Sequence, residues 1–253
     1  LQHCLDLFEA TDGAFDITAA PLVKLWGFHI RQGVFPDSNQ IEATRELIGS
    51  QHVLLDEKKQ TVAFRKPGME LNLGSIGKGF ALDRSAEVLE SADIDDYLIH
   101  GGHSSILGRG SRLTENPPGW IVAVRHPLRP EQRVAQIRLH DKAIGTSGSG
   151  NQFFYHHGKR YGHVLDPRTG LPAQGVLSAT VLSTNAAQAD ALATAFFVLG
   201  VQATREYCSK HPEIGVIFLS QGRRAGALRI DLIGIEDGEC DLAEDVAFES
   251  SKI

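Results

Sequence analysis

Residues 158–172 read Gly-Lys-Arg-Tyr-Gly-His-Val-Leu-Asp-Pro-Arg-Thr-Gly-Leu-Pro. The first part predicts a strand from Arg160 to Leu165, because β-branched and aromatic residues stand next to polar ones. The second part predicts a tight turn, since Pro167 fixes φ and Gly170 can adopt a positive φ. The polar side chains on this strand end and turn are His163, Asp166, Arg168 and Thr169. From this stretch alone, a binding site and a solvated hairpin end are equally open.

The composition is typical of a soluble globular protein with one large domain or two small ones. The 253 residues are 42% hydrophobic and 22% charged. The net charge of −6, without any block of Lys and Arg, argues against nucleic acid as the main partner. The three cysteines lie far apart without metal-ligand spacing, so they predict no zinc site and require no disulfide.

A second polar cluster surrounds Asp16 and Thr18. Asp12-Gly13 predicts a turn, and Thr18 is expected to cap a helix that carries Pro21 in its first turn. Both side chains are therefore expected at the N-terminus of this helix. The sequence leaves capping and ligand binding equally open for them.

A third cluster, residues 69–83, reads Met-Glu-Leu-Asn-Leu-Gly-Ser-Ile-Gly-Lys-Gly-Phe-Ala-Leu-Asp. It predicts a short strand over 70–73, then a glycine turn and a helix. Lys78 lies at the predicted helix N-terminus, where free N–H groups and the dipole attract anions, so phosphate binding is favoured over a solvated lysine. The cluster is not a Walker A loop, because Asn72 and Gly79 occupy positions that need Gly and Ser or Thr.

A predicted helix over 186–199 carries Asp190 and Thr194, which project together because they are four residues apart. A carboxylate beside a hydroxyl suits Mg²⁺, with water or phosphate as further ligands. The alternative is structural: the carboxylate favours the helix dipole and the threonine bonds to its own helix. Taken with Lys78 and His163, the pattern favours a phosphorylated, nucleotide-like ligand and either phosphoanhydride chemistry or nucleotide binding.

Six segments, in this order, resemble motifs of the ApbE family, the FAD:protein FMN transferases. They are Gly-Ala-Phe-Asp-Ile-Thr (13–18), Pro-Leu-Val-Lys-Leu-Trp-Gly-Phe (21–28), Leu-Gly-Ser-Ile-Gly-Lys-Gly (73–79), Thr-Ser-Gly (146–148), Tyr-Gly-His-Val-Leu-Asp-Pro-Arg-Thr-Gly (161–170) and Ala-Asp-Ala-Leu-Ala-Thr-Ala (189–195). The resemblance runs from about Gly13 to Gly200.

The resemblance implies an α+β fold with two lobes, mixed and antiparallel sheets and flanking helices. It implies a single flavin transferase domain over residues 1–253, with the flavin bound between the lobes. The implied enzyme depends on Mg²⁺, transfers FMN from FAD to a Thr or Ser hydroxyl of a target flavoprotein, and releases AMP.

The resemblance also assigns roles to individual residues of this sequence. The FAD contacts it implies are Ala14, Phe15, Asp16, Asn72, Lys78 and Val164. The magnesium positions it implies are Ser75, Asp190 and Thr194. His163 would lie beside the reacting phosphates, and either His163 or Asp190 is expected to deprotonate the acceptor hydroxyl.

The chain departs from the family pattern in several places. Asn72 stands at a usually acidic position, and His103 stands where Gly-Gly-Asp is common. The chain begins almost at the first motif, so a family segment that contacts flavin and adenine is expected to be missing. Exported, membrane-anchored lipoproteins are common in the family. An extracytoplasmic or periplasmic location, with inner-membrane anchoring through the missing segment, is therefore the expectation.

Two other functions remain open. One is an FAD-binding protein without transfer activity, and the other is a Mg²⁺-dependent FAD pyrophosphatase that yields FMN and AMP. The retention of Ser75, Lys78, His163, Asp190 and Thr194 weighs against simple binding, because binding alone does not require all of them.

Overall fold

The computed structural model describes residues 1–112, 117–150, 152–224, 226–244 and 246–250. The chain divides into two compact units. Unit 1 comprises Leu1–Ser75 and Ser149–Gln174, and unit 2 comprises Ile76–Gly148 and Gly175–Ile253. That both units form a single flavin transferase domain stays a prediction.

Unit 1 is built from short helices and two-stranded antiparallel sheets. Its helices are α1 (Gln2–Ala10), α2 (Ala20–Leu25) and α3 (Ser38–Arg45), with 3-10 turns at Phe28–Ile30 and Ser50–His52. Its paired strands are β1 (Val53–Asp56) with β2 (Thr61–Phe64), β8 (Phe153–His156) with β9 (Lys159–Gly162), and β10 (Leu165–Asp166) with β11 (Leu171–Pro172).

The core of unit 1 is centred on Trp26, which is fully buried. Its ring lies edge-on to Phe35 at 5.3 Å and stacks with Tyr161 at 6.1 Å between centroids. Its indole N–H donates to the carbonyl of Gly170 at 2.9 Å. This hydrogen bond satisfies the only polar group of a buried indole and ties the turn of residues 167–170 to the core.

The strand predicted from Arg160 to Leu165 is interrupted in the structure. Strand β9 ends at Gly162 and β10 begins at Leu165. The interruption arises because the chain changes its pairing partner between His163, which follows the register of β8 with β9, and Val164, which follows the register of β10 with β11. The N–H of His163 donates to the carbonyl of Gln152, and the carbonyl of Val164 accepts from Ala173. The predicted turn is present, with Gly170 at a φ of 74°.

Unit 2 contains the two longest helices and the two largest sheets. Its helices are α4 (Gly77–Glu90) and α5 (Ala186–Cys208). A seven-stranded sheet has the order β16 (Phe248–Ser250), β14 (Leu228–Ile233), β13 (Gly215–Gln221), β12 (Ser178–Ser183), β7 (Lys142–Gly148), β4 (Ser105–Arg109), β3 (Tyr97–His100). A three-stranded sheet has the order β15 (Cys240–Leu242), β6 (Arg129–Leu139), β5 (Trp120–His126).

The seven-stranded sheet is covered on both faces, and alternate residues on each strand serve the two sides. Ile144 and Leu182 belong to a core shared with β5 and β6, whereas the neighbouring Ala143 packs with Leu82 of α4 and Ala186 of α5. All pairings in this sheet are antiparallel except β14 with β16, so the sheet is mixed. Unit 2 is thus a three-layer arrangement of helices, large sheet and small sheet.

Helix α5 is long and apolar enough to span a membrane by length and composition. However, 56% of its most apolar window is buried, because the helix packs on β7, β12 and α4. The helix is also broken at Gly200, where φ is 75° and ψ is −178°. These features identify α5 as a core helix of unit 2.

Candidate active site

Lys78 lies in the first turn of α4, as predicted, and its side chain is exposed. The N-cap residue Ile76 offers no side-chain acceptor, and the carboxylate of Asp190 instead accepts the N–H of Gly79 in the first turn. A Cβ atom at Gly101 would lie 3.4 Å from the Cβ of Lys78, so a glycine loop runs alongside the lysine. Lys78 adds positive charge at this helix N-terminus, but one N–H of the first turn, that of Gly79, already bonds to Asp190. Binding of a phosphate by Lys78 stays a prediction.

Asp190 is the buried acid of this site, with 6% of its surface exposed. One carboxylate oxygen, Oδ2, accepts from the N–H of Gly79 at 2.7 Å. The other, Oδ1, accepts from the hydroxyl of Ser105 at 2.6 Å. Burial raises the pKa of Asp190, and these two hydrogen bonds together with the charge of Lys78 oppose that rise. Each carboxylate oxygen retains a lone pair for a further partner.

Gly79 of α4 and Gly145 of β7 allow α5 to pack closely on these two elements near Asp190. A Cβ atom at Gly79 would lie 2.1 Å from the carbonyl oxygen of Ala186, and one at Gly145 would lie 2.4 Å from the carbonyl of Ala189. No side chain fits at either position. The Gly79 N–H can reach Asp190 because the two helix backbones touch there.

The hydroxyl of Thr194 makes one contact within α5 and one with the neighbouring strand β7. Its hydroxyl lies 3.4 Å from the carbonyl oxygen of Asp190, which is the bond to its own helix that the sequence left open. It also shares a 3.0 Å hydrogen bond with the hydroxyl of Ser147 on β7. The threonine oxygen is therefore held beside the strand that packs against Asp190.

The residues in unit 2 fit a hard cation. A buried carboxylate whose pKa is raised by desolvation gains from a compensating positive charge, and hydroxyl oxygens are suitable neighbours. Asp190 and Thr194 carry oxygens of these kinds, and Ser75 belongs to unit 1. That these three residues bind magnesium stays a prediction. Within the described residues, no group of three or more His, Cys, Asp or Glu side chains is present, and the cysteines Cys4, Cys208 and Cys240 are free thiols.

Asp16 in unit 1 is held by three donors on one oxygen. Its Oδ1 accepts from the N–H and the hydroxyl of Thr18 at 2.8 and 2.7 Å, and from the hydroxyl of Ser50 at 2.7 Å. The expectation that Thr18 caps α2 is wrong. The helix begins at Ala20 without a side-chain cap, and the Thr18 hydroxyl instead accepts the N–H of Gly49 at 2.7 Å. The fully buried Thr18 hydroxyl therefore links two loops and does not cap the helix.

The neighbours of Asp16 in the same motif are buried. Ala14 and Phe15 each expose 1% of their surface. Asp16 lines a cavity of about 320 Å³ together with Phe8, Gly13, Arg45 and Arg168. The charged lining of the cavity is mixed, because Glu9 and Asp12 lie there as well as Asp16 and the two arginines. Ligand contact by Ala14, Phe15 and Asp16 stays a prediction.

Asn72 lies in an extended segment, but the strand predicted over 70–73 is absent. The N–H of Asn72 donates to the carbonyl of Ile17 at 2.7 Å, and this single bond does not extend into a ladder. The Asn72 side chain accepts the N–H of Gly74 at 2.8 Å, which begins the turn that leads to Ser75. Asn72 is exposed, and its contact with FAD stays a prediction.

His163 is partly buried, and its ring Nδ1 lies 3.2 Å from the carbonyl oxygen of Gln152. A carbonyl can only accept, so Nδ1 carries the proton and Nε2 keeps a lone pair. Burial lowers the pKa of His163, and the Gln152 contact opposes that change. The imidazole is therefore neutral near neutral pH and can accept a proton at Nε2.

Asp166 and Arg168 form a bidentate ion pair within the turn. Arg168 Nε and Nη2 lie 2.9 and 3.0 Å from the two carboxylate oxygens of Asp166. This pair raises the pKa of Arg168. The Asp166 carboxylate also accepts the backbone N–H of Arg168 at 2.9 Å. These hydrogen bonds stabilise the turn next to His163.

We expect replacement of His163 with asparagine to reduce the loss of stability on acidification. The folded protein disfavours the charged imidazole, whereas the unfolded chain takes up a proton near the ordinary pKa of 6.5. The contribution of the neutral imidazole to the free energy of unfolding is therefore fully present above that pKa. It is lost as the pH decreases from there toward the lowered pKa of His163 in the folded protein. Melting temperatures at roughly pH 7.5 and 5.5 measure this loss.

The control for this experiment is His29→Asn, which changes an exposed histidine of unit 1. The control should retain the full acid-dependent decrease in melting temperature. If the melting temperature of His163→Asn decreases on acidification as much as that of the unchanged protein, the inference that His163 is buried in its neutral form is wrong.

The chain is similar to known proteins of one family. The model of the ApbE family matches residues 1–218. The chain belongs to the ApbE family. It is 35% identical over 217 residues to an FAD:protein FMN transferase of Klebsiella pneumoniae, a match that covers 84% of this chain and 65% of that protein. It is 36% identical over 202 residues to the FAD:protein FMN transferase of Escherichia coli K12, covering 78% and 57%.

Solved ApbE structures share the fold. The ApbE protein of Thermotoga maritima superposes with a TM-score of 0.80 at 31% identity, covering 92% of this chain and 74% of that one. The flavin transferase ApbE of Vibrio cholerae gives 0.77 at 29% identity, covering 92% and 72%. The predicted fold class is confirmed. The chain spans less than two thirds of the length of the two curated ApbE relatives described above.

The structure brings some predicted site residues together within a unit. In unit 2 the Thr194 hydroxyl contacts the backbone carbonyl of Asp190 on the same helix, and the charge of Lys78 acts on the Asp190 carboxylate. The other predicted residues, which are Ala14, Phe15, Asp16, Asn72, Ser75, His163 and Val164, lie in unit 1. Sequence reasoning missed Ser105 and Ser147. Ser105 lies 85 residues from Asp190, so no local spacing could connect them.

Proposed function

We propose that this protein transfers FMN from FAD to a Thr or Ser hydroxyl of a target flavoprotein and releases AMP. The observation that carries the proposal is the buried Asp190 carboxylate near the charge of Lys78, in a chain of the ApbE family. Relatives named FAD:protein FMN transferase support the same reaction. A location outside the cytoplasm and membrane anchoring rest on the family resemblance alone.

In this proposal Asp190 and Thr194 of unit 2 hold Mg²⁺. Ser75 of unit 1 is a magnesium position on the family resemblance alone. Bound Mg²⁺ supplies positive charge against the pyrophosphate and the departing AMP. Lys78 and the N-terminus of α4 add charge from the protein itself. Charge neutralisation and positioning are the main contributions that a protein makes to phosphoryl-type transfer.

The reaction forms a bond between the acceptor oxygen and the FMN phosphorus, and it breaks the bond from that phosphorus to the AMP oxygen. The hydroxyl proton passes to a base. His163 is suited to this role because its neutral ring keeps a lone pair at Nε2 while Nδ1 is held by Gln152. Asp190 is the other candidate, although both of its oxygens already accept hydrogen bonds.

Mass spectrometry tests the proposal directly. We expect FMN adducts on a pool of peptides that contain a single Thr with randomised flanks, incubated with the protein, FAD and Mg²⁺. AMP should appear in equal amount, and EDTA should abolish both products. A parallel pool with Val in place of Thr is the matched control, because it lacks the acceptor hydroxyl.

Other outcomes would contradict the proposal in distinct ways. Free FMN and AMP without an adduct would indicate a pyrophosphatase. Intact FAD that is bound but not cleaved would indicate a binding protein.

A further inference from the structure

Ser105 is a fully buried hydroxyl on β4 whose partner is the Asp190 carboxylate. A buried hydroxyl is costly unless it is hydrogen-bonded. An ionised carboxylate only accepts hydrogen bonds, so the 2.6 Å contact fixes the Ser105 proton on the side of Asp190 Oδ1. Hydrogen bonds to a charged acceptor are stronger than neutral ones, and this one lies away from water.

The backbone around Ser105 is fixed on both sides. Its carbonyl accepts the N–H of Gly101 at 2.8 Å, and the carbonyl of the preceding Ser104 accepts the N–H of Thr146 at 2.7 Å. Across the sheet Ser105 is paired with Gly145, the residue against which the α5 backbone packs at Ala189. The sheet therefore presents the Ser105 hydroxyl to α5 at the level of Asp190.

The two oxygens of Asp190 are held from two different elements. Ser105 holds Oδ1 from the sheet, and the backbone of Gly79 holds Oδ2 from α4. One donor on each oxygen restricts rotation of the carboxylate plane. The Gly79 donor is a backbone group, so Ser105 is the side chain that sets this orientation.

We propose that Ser105 is a positioning residue for the metal: it fixes the Asp190 carboxylate in one orientation, so that the remaining lone pairs are available to Mg²⁺. This inference rests on the metal site of the proposed function. It predicts that loss of the Ser105 hydroxyl weakens metal binding, since hydrogen-bond partners of metal ligands typically contribute 10–100-fold to affinity.

The test is a titration of the full chain with Mn²⁺, a hard divalent probe, in which electron paramagnetic resonance measures the free ion. The titration is made without and with FAD. The Mn²⁺ binding that is lost in Asp190→Asn is taken as binding at this site. We expect Ser105→Ala to weaken Mn²⁺ binding roughly 10–100-fold. Ser105→Thr, which keeps a hydroxyl and suits a strand, should restore the affinity.

Ser183→Ala is the matched control. Ser183 is also buried in the seven-stranded sheet, and its hydroxyl donates at 2.6 Å to a side chain of α5, that of Gln188. It should leave Mn²⁺ affinity unchanged. Melting temperatures of all variants show whether loss of binding follows loss of folding.

Several results would overturn the inference. They are unchanged affinity in Ser105→Ala, equal weakening in Ser183→Ala, failure of Ser105→Thr to restore binding, and Mn²⁺ binding that Asp190→Asn does not remove. If the affinities follow the expectation but no FMN is transferred, the positioning role stands and the proposed activity does not.

Discussion

Replacing Asp190 with asparagine is expected to lower the rate of FMN transfer about a thousandfold or more. A bound metal supplies several kcal/mol of charge stabilisation, and each ~1.4 kcal/mol changes a rate tenfold. Asparagine keeps the shape of the side chain and can still accept from Gly79, while Ser105 can reverse its hydroxyl. The substitution therefore removes the charge with little change in packing. Single-turnover formation of the FMN adduct and of AMP measures the loss.

Asp83→Asn is the matched control for this experiment. Asp83 is a carboxylate of unit 2 that accepts the N–H groups of Ala186 and Ala187 at 2.8 Å each, at the start of α5. Asp83→Asn removes the same charge at this helix end, and the charge of Asp83 is a minor cause among those that raise the pKa of Asp190. We expect transfer to be retained in Asp83→Asn. Comparable activity in Asp190→Asn and the unchanged protein would refute the role of Asp190 as metal ligand.

The second large effect is expected from Gly79→Ala, which should destabilise the protein by about 3 kcal/mol or more. The new Cβ would lie 2.1 Å from the carbonyl oxygen of Ala186, and the obstacle is backbone, which cannot rotate away. Relief requires α4 and α5 to separate. That movement would also lengthen the Gly79 N–H contact with Asp190.

The control lies two residues away on the same helix. A Cβ atom added at Gly77 would meet no other atom within 4 Å, and the φ of Gly77 is not positive. Gly77→Ala should therefore be neutral or stabilise by about 0.5–1 kcal/mol. Urea unfolding of both variants, followed by circular dichroism, measures the difference. Equal midpoints for the two variants would show that α4 and α5 are not in backbone contact.

Much of the local structure was predictable because its causes are local. The turn after Asp166 follows from Pro167 and from Gly170, whose φ is 74°. The position of Lys78 in the first turn of α4 follows from the glycines and the apolar periodicity after it. Asp190 and Thr194 meet because they are four residues apart on one helix.

Two of the errors depend on partners that local propensity does not reveal. Thr18 has the chemistry of a helix cap, but its hydroxyl bonds the N–H of Gly49, 31 residues away. The predicted strand 160–165 is divided because its two parts pair with different strands: His163 bonds to Gln152 in the register of β8 with β9, and Val164 bonds to Ala173 in the register of β10 with β11. Local propensity is outweighed where a tertiary hydrogen bond satisfies the same group.

The family and the fold class could be predicted from the sequence, because ordered motifs and residue spacing are properties of the chain. The groups that surround Asp190 depend on tertiary packing and could not be predicted. Ser105 and Gly79 reach that carboxylate from 85 and 111 residues away in the chain. They meet there because α5 packs on α4 at Gly79 and on β7 at Gly145, where side chains do not fit, and because β7 pairs with β4 at Ser105. Burial of this kind depends on packing, and it raises the pKa of Asp190 and makes the carboxylate suited to a cation.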